Sequence, residues 1–138
     1  MIKTINKNQD DKTKWFLFDA KDKILGRFCT EIADTVRGKK ETSFIENAVC
    51  GNKVVVINTD QIRVSGKKEE AKRYYHYSGF HGGLKEKSLG TMRQEDSRQI
   101  IYIAVKGMLP KNKLRDKFLS NIKLYKNSDH KHKNINFQ

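Results

Sequence analysis

The order of apolar segments along the chain predicts an α/β fold built on parallel strands. Residues 15–18 and 54–57 are short, continuous apolar runs with the length and composition of strands buried in a sheet. Residues 25–36, which lie between them, place apolar side chains at helical spacing. A strand, a helix and a second strand in this order form the unit that joins two parallel strands in α/β proteins.

The predicted helix has the clearest pattern in the chain. Leu25, Phe28, Ile32 and Val36 recur every three or four residues, so they share one face. Gly38 follows them, and glycine commonly ends a helix because it adopts the left-handed backbone conformation without strain. We therefore expect one face of this helix to be buried and the helix to end just before Gly38.

The rest of the chain gives weaker patterns, and we expect it to complete one domain over residues 15–126. We predict a turn at 59–60, short strands at 62–64, 72–77 and 123–125, and helices at 88–95 and 111–122. Residues 100–105 are ambiguous, because β-branched side chains favour a strand while the apolar continuation allows a buried helix. Residues 1–14 are predicted to be a flexible polar lead-in, and residues 127–138 a basic tail.

The charge balance favours an acidic partner, most often nucleic acid. The chain has 29 Lys and Arg against 16 Asp and Glu, a net charge of +13. Residues 106–133 hold nine of these cations against two aspartates, which accounts for +7 of the total. A surface of this kind neutralises phosphates and releases counterions, so its binding weakens with salt. The alternative is a solvated basic face with no such partner.

The most concentrated basic stretch is 104–117, AVKGMLPKNKLRDK. An apolar run leads into a proline turn, and Lys111, Lys113, Arg115 and Lys117 follow it. In a helix, Lys113 and Lys117 fall opposite the apolar face, while Arg115 falls nearer that face and must either snorkel to solvent or reach into a crevice. Lysines spread among Asn and Ser residues suit recognition of backbone and shape, as in folded RNA.

A second basic stretch, 72–77, interleaves cations with aromatic rings. Lys72 and Arg73 can hold phosphates while Tyr74, Tyr75, His76 and Tyr77 stack on unpaired bases, although any one of the tyrosines equally suits a core. The following residues 79–82 match the bare GxxG pattern of a KH loop, which needs a helix on each side. The sequence favours a tight turn, because the preceding residues are predicted to form a strand, and in either case the glycine amides beside Lys85 can receive a phosphate.

Both ends of the first helix carry candidate anion contacts. At its start, free backbone N–H groups and the guanidinium of Arg27 form a candidate phosphate site. At its end, Arg37, Lys39 and Lys40 cluster where cations complement the helix dipole. An ordinary solvated surface explains these residues equally well.

Metal binding is not expected, and neither is any other cofactor. His130 and His132 form a short chelating pair in principle, but Lys131 between them favours a phosphate contact instead. Cys29 lies on the apolar helix face, where it is most simply a small core residue. Cys29 and Cys50 lack the spacing of a zinc site, and two cysteines are too few for a disulfide framework.

Enzymatic activity is not expected either. The chain has no GxSxG motif, no Walker loop and no complete GxGxxG motif. Asp19, Asp60 and His76 would have to converge at a sheet edge to give nuclease-like chemistry, and nothing in their spacing requires it. With no secretory segment at the start and no run of membrane-spanning length, we expect a cytosolic protein with reduced thiols.

Six segments, in this order, resemble the bacterial form of the large-subunit ribosomal protein L-thirteen family. They are WFLFDAKDKILGR (15–27), RGKK (37–40), VVVINTDQIRVSGKK (54–68), YYHYSGFHGGLK (74–85), AVKGMLPKNKL (104–114) and LYKNSDHKH (124–132). The Gly-Met-Leu-Pro sequence in a basic setting is the most specific of these pieces. Together they cover nearly everything after the lead-in.

The resemblance implies a three-layer α/β/α domain with a small, mostly parallel sheet of about four strands, plus basic loops and terminal extensions. It makes residues 100–105 helical. It implies binding to large-subunit ribosomal RNA, support of early subunit assembly, neighbouring ribosomal proteins as partners, and no catalysis, metal, membrane contact or homo-oligomer. Residues matching the family's basic, RNA-facing segments are Arg27, Arg37, Lys39, Lys67, Lys68, Tyr75, His76, His81, Lys106, Lys111, His130 and His132. Charge and position add Lys40, Arg73, Lys85, Lys113, Arg115, Lys117 and Lys131.

The chain departs from the family pattern in three places. Residues 44–50, FIENAVC, lack the proline, histidine and aspartate usual there, and the segment before residue 100 lacks a usual proline. The tail reads KNINFQ where a Gln-Pro ending is common. The alternatives to a ribosomal protein are a small α/β nucleic-acid-processing enzyme and a free RNA-binding regulator.

Overall fold

The chain forms an α/β structure with a parallel three-stranded sheet and a separate antiparallel hairpin. The computed structural model describes residues 13–42, 44–133 and 135–138. Its helices and strands are β1 (Trp15–Asp19), α1 (Leu25–Arg37), β2 (Lys53–Ile57), α2 (Lys68–Ala71), β3 (Arg73–Tyr77), β4 (Leu84–Ser88), α3 (Leu89–Met108), α4 (Arg115–Ser120) and β5 (Ile122–Leu124). A one-turn 3-10 helix, Thr59–Gln61, follows β2. Apart from residues 13 and 14, the predicted lead-in lies outside the described residues.

The parallel sheet has the order β1-β2-β5, with β2 in the centre. β1 pairs in parallel with β2, and α1 connects the two strands along the chain. This confirms the predicted strand–helix–strand unit. The central residues Val54, Val55 and Val56 are fully buried, whereas Leu17 of the edge strand β1 is 38% exposed. The small, mostly parallel sheet is confirmed, with three hydrogen-bonded strands in the described chain where about four were expected.

The core lies between α1, the sheet and α3. α1 contributes the predicted apolar face, including Phe28, Ile32 and Val36, and α3 contributes Ile100 and Ile101. Because apolar side chains on these elements leave water together, their burial is the main driving force for this arrangement. Gly38 ends α1 with φ of 72°, as predicted, and its N–H donates to backbone oxygens of the last turn.

Residues 89–108 form a single element interrupted by a kink at Asp96, whose φ of −156° and ψ of 98° are not helical. The predicted helix near residues 88–95 is its first part, and the ambiguous 100–105 segment is helical and belongs to its second part. Ser88 caps the helix start by accepting a hydrogen bond from the N–H of Thr91. None of the described helices is both long enough and apolar enough to span a membrane.

Two predicted elements are shorter than expected. The helix predicted for 111–122 covers only Arg115–Ser120, because the side chain of Asn112 accepts a hydrogen bond from the N–H of Leu114 and holds a turn after Pro110. The strand predicted at 62–64 is reduced to one parallel bridge between Ile24 and Arg63.

Candidate nucleic-acid interface

The turn between α3 and α4 is anchored by apolar side chains on both sides of Pro110. Leu109 before it and Phe118 after it are buried in the main core. The N–H of Arg115 donates to the backbone oxygen of Asn112 at 3.2 Å, so the turn is also held by hydrogen bonds. A turn fixed at both ends presents its outward side chains from a defined position.

This anchoring leaves five basic residues on the outside, which we name the cationic turn: Lys106, Lys111, Lys113, Arg115 and Lys117. The four lysines are exposed, whereas Arg115 is half-buried. The Nε of Arg115 is buried and has no hydrogen-bond partner among the described residues. Arg115 is therefore less accessible than the four lysines, as its position near the apolar face of the helix indicated.

Among the described residues, the cationic turn has no compensating carboxylates. Within the described chain, none of its five cations is within salt-bridge distance of an aspartate or glutamate. Asp116 lies in the same stretch and is exposed, yet it pairs with none of them. Like charges held close together repel each other, and a polyanion that neutralises them removes this repulsion.

The hairpin of β3 and β4 shows the opposite arrangement. Two of its cations, Arg73 and Lys87, are paired: the guanidinium of Arg73 lies 2.6 Å from the carboxylate of Glu86. The ammonium of Lys87 lies 2.6 Å from the carboxylate of Glu95 in α3. Arg73 was predicted to contact phosphate, and here its charge is balanced within the protein.

The two faces of the hairpin carry different side chains. Tyr75 and Tyr77 alternate along β3 on one face and are 63% and 64% exposed, and Phe80 at the tip is 77% exposed. His76 pairs directly across the strands with Lys85, and both are exposed on the other face. The sequence interpretation included Tyr77 with Tyr75 among the rings that stack on bases, but it did not single out Phe80.

The GxxG segment is the turn of this hairpin. Gly79 and Gly82 have φ of 89° and 68°, which favour glycine, and the N–H of Gly83 donates to the oxygen of Phe80 at 3.0 Å. Since strands lie on both sides of the turn, the KH interpretation is wrong. His81 is exposed at the tip of the turn.

At the end of α1, the predicted basic cluster is partly engaged within the protein. The guanidinium carbon of Arg37 lies 5.5 Å from the centre of the Phe44 ring, in cation–π geometry. Lys39 lies 3.8 Å from Asp34, while Lys40 is exposed. Phe44 belongs to the segment that departs from the family pattern.

At the start of α1, Arg27 is exposed to solvent. Lys67 and Lys68 are also exposed, at the start of α2, and the ammonium of Lys68 donates to the hydroxyl of Ser65 at 3.1 Å. These three cations have no carboxylate within salt-bridge distance in the part of the chain that the structure describes.

The tail has no described helix or strand, but it packs through aromatic rings. His132 lies 5.0 Å from Trp15, and His130 lies 5.7 Å from Phe137, between ring centres. Both histidines are half-buried, whereas Lys131 between them is exposed. The histidines predicted to contact phosphate therefore also bind the tail to the domain.

The three residues weighed for catalysis make separate contacts. Asp19 accepts a hydrogen bond from the amide of Asn58 at 2.9 Å, and Asp60 accepts one from the hydroxyl of Ser97. His76 lies in the hairpin. Among residues 13–42, 44–133 and 135–138, no three His, Cys, Asp or Glu side chains are grouped so that they could hold a metal ion.

Burial raises the pKa of two titratable groups, Cys29 in α1 and Tyr74 in β3. Cys29 is fully buried, as predicted, and burial raises the pKa of its thiol to about 12. Burial also raises the pKa of Tyr74, whose hydroxyl has no hydrogen-bond partner among the described residues. A thiol kept protonated in this way is a structural group rather than a nucleophile.

The fold and this charge distribution define a small, basic α/β protein with a rigid cationic turn on its surface. A family model described as "Ribosomal protein L13" matches residues 13–131. A protein named large ribosomal subunit protein uL13 from Syntrophus aciditrophicus is 42% identical over 126 residues, covering 91% of this chain and 89% of the relative. Proteins of the same name from Lawsonia intracellularis and Aquifex aeolicus are 44% and 43% identical, covering 86% and 91% of this chain and 83% and 88% of their own lengths.

The chain belongs to the ribosomal protein L13 family. This confirms the resemblance seen in the six sequence segments and the prediction of a ribosomal protein rather than an enzyme.

Proposed function

We propose that this chain is a structural protein of the large ribosomal subunit that binds ribosomal RNA through the cationic turn and supports early assembly of the subunit. The observation that carries the proposal is the cationic turn itself. It holds five cations on an anchored turn, and none of them has a carboxylate partner among the described residues. The names of the relatives support the ribosomal assignment.

The cationic turn acts by neutralising phosphates where RNA segments approach each other. Each lysine that meets a phosphate releases a condensed counterion, which gives affinity without reading a base. The buried Leu109 and Phe118 fix where these charges stand, so the protein selects RNA by the spacing of its phosphates. Phosphates of neighbouring RNA segments repel each other, and a protein that lowers this repulsion favours compact RNA. This is the basis of the proposed role in assembly.

Other basic and aromatic residues extend this contact around the domain. We assign to it Arg27, Arg37, Lys39, Lys40, Lys67, Tyr75, His76, His81, Lys85, His130, Lys131 and His132. Arg73, which Glu86 already neutralises, and Lys68, which donates to Ser65, are left out of this contact. Residues 15–126 form the domain, and the lead-in 1–14 and the tail 127–138 act as extensions. Neighbouring large-subunit proteins are its protein partners, and its place of work is the ribosome in the cytoplasm.

Sedimentation of a cell extract through a sucrose gradient tests the assignment, with each fraction probed for this chain. We expect the chain to migrate with large subunits and whole ribosomes and to remain there after a high-salt wash. Material at the top of the gradient would overturn the assignment in favour of a free RNA-binding regulator. Loss on washing alone would indicate a peripheral protein held by charge, and would also contradict it.

A further inference from the structure

An apolar groove of about 610 Å³ lies between the start of α1, α2 and the second part of α3. Its lining is largely aliphatic and includes Leu25, Val64, Leu89 and Ala104. The groove is separate from the cationic turn, none of whose five residues lines it. The RNA contact proposed above therefore leaves it unexplained.

Large apolar side chains at the groove are exposed. Ile24, Ile103 and Met108 line it and are 42%, 39% and 41% exposed, although they come from two separate parts of the chain. Single exposed apolar residues are common on protein surfaces, but a group of them around one concave site marks an interaction surface.

Two helical glycines also line the groove. Gly26 lies in the first turn of α1 and Gly107 in the last turn of α3. A Cβ added at either position would meet no atom within 4 Å, and neither glycine has a positive φ. Glycine weakens a helix relative to alanine, and nothing within the described protein requires it at these positions. Close approach of another molecule would account for glycine at both positions.

The cations of the groove lie on one side of it. Lys68 and Lys72 are four residues apart along α2, and both line the groove. Neither has a carboxylate within salt-bridge distance in the described parts of the chain. The ammonium of Lys72 lies 5.3 Å from the centre of the Tyr74 ring, which also lines the groove. A complementary ligand is therefore apolar along its length and acidic at the end that meets α2.

We propose that this groove receives an apolar segment of a neighbouring large-subunit protein, with an acidic residue placed against Lys68 and Lys72. The proposal rests on the proposed function, because that function provides the neighbour. RNA is a poorer fit, since it carries a phosphate at every nucleotide and its bases stack on aromatic or guanidinium planes. An apolar peptide segment laid in a groove is a recurrent mode of protein recognition.

Photocrosslinking in purified large subunits tests this proposal. The full chain carries p-benzoylphenylalanine in place of Met108, and the crosslinked product is mapped by mass spectrometry. Tyr102 provides the matched control, because it lies on the same helix and is 42% exposed but does not line the groove. We expect one protein crosslink from position 108, to an apolar segment with an adjacent acid, and at least a tenfold lower yield from position 102. A crosslink to RNA, or none, would overturn the proposal.

A steric block sharpens the result. In the Met108 crosslinking background, Gly107→Leu fills the groove while its Cβ meets no protein atom, so we expect an unchanged or higher melting temperature. The crosslink yield should fall at least tenfold, and affinity for ribosomal RNA should stay within about twofold because the cationic turn is intact. Gly26→Leu places the same block on the facing helix. An unchanged crosslink yield in both variants would refute the proposal that a protein segment binds in the groove. Absence of the unsubstituted chain from large subunits would refute the proposed function instead.

Discussion

The two ends of α3 use their charges in opposite ways. Near its start, cations are paired with carboxylates: Lys87 with Glu95 at 2.6 Å, and Arg98 with Asp96 at 2.9 Å. Beyond its end, the cationic turn has no such partners among the described residues. The two regions are part of one basic chain, and composition alone does not distinguish them.

The difference separates charges that organise the protein from charges left for a ligand. Arg93 illustrates the first kind: its guanidinium donates to the backbone oxygen of Ile62 at 2.7 Å and lies 2.7 Å from Glu69. It connects α3 to α2 and to the segment after the 3-10 helix. The lysines of the cationic turn make no such connection, so their effect depends on an external anion.

The largest expected effect is on RNA affinity. Replacing Lys111, Lys113 and Lys117 together with glutamine removes three of the proposed phosphate contacts. We expect affinity for a large-subunit ribosomal RNA fragment to fall on the order of 30-fold, and the slope of log affinity against log salt to become shallower by about 2 to 3. Filter binding at several salt concentrations measures both quantities.

The matched control removes three cations from the paired end. Arg73→Gln, Lys87→Gln and Arg98→Gln change the net charge by the same amount, but each residue is already neutralised by a carboxylate. We expect an affinity loss of less than about threefold and an almost unchanged salt slope. Equal losses in the two triple variants would mean that net charge alone decides, and the comparison between the two ends would fail.

The next largest expected effect is on stability, through the hydrogen bonds of Ser97 at the kink of α3. Ser97 is fully buried, and its hydroxyl lies 2.8 Å from that of Thr59 and donates to the carboxylate of Asp60. Ser97→Ala leaves both partners without it, so the free energy of unfolding should fall by about 2 kcal/mol. Urea denaturation measures this, with the exposed Ser128→Ala as a control that should change stability by less than about 0.5 kcal/mol.

Alkaline pH tests how tightly the hairpin covers α1. The folded state holds the pKa of Cys29 near 12, above the value of about 8.5 in an unfolded chain. As pH rises, the Cys29 thiol therefore loses its proton in the unfolded state first. The contribution of the protonated thiol to the free energy of unfolding is fully present only below the unfolded pKa. We expect it to fall by about 1.5 kcal/mol between pH 8 and pH 10. In Cys29→Ala, the free energy of unfolding should decline less steeply between pH 8 and pH 10. Identical slopes in the two proteins would show that the thiol is accessible to solvent.

The smallest effect is expected at the surface ion pair of the hairpin. Glu86→Gln leaves Arg73 without its partner, but both side chains are about half exposed, so solvent screens the interaction. The free energy of unfolding should fall by less than about 0.5 kcal/mol, as measured by urea denaturation. A loss above about 2 kcal/mol would mean that the paired end is held mainly by charge rather than by packing.

The strand–helix–strand unit could be predicted because each of its elements has a clear apolar pattern. The valines of β2 and the face containing Phe28, Ile32 and Val36 are the residues that the structure buries. β4 could not be predicted in this way, because Leu84–Ser88 reads LKEKS and only its last residue is even half-buried. A strand that is stabilised only by pairing with its neighbour has no periodic pattern of its own.

The candidate site was only partly predictable, for a similar reason. The concentration of lysines around Pro110 is visible in the sequence. The sequence does not show which cations have carboxylate partners, because the paired residues are far apart along the chain. Arg73 and Glu86 are 13 residues apart, and Arg93 and Glu69 are 24 residues apart. Such pairings depend on how the chain folds back on itself, which local spacing does not specify.

The non-helical backbone at Asp96 has a consequence for how the protein opens. The α-helical hydrogen-bond ladder that protects backbone amides is interrupted there, so the two parts of α3 are separate cooperative units. Hydrogen–deuterium exchange should therefore change abruptly near this residue, with slow exchange at the buried Ile100, Ile101 and Val105 and faster exchange towards Leu89. We therefore expect the hairpin to open more often than the core that anchors the cationic turn.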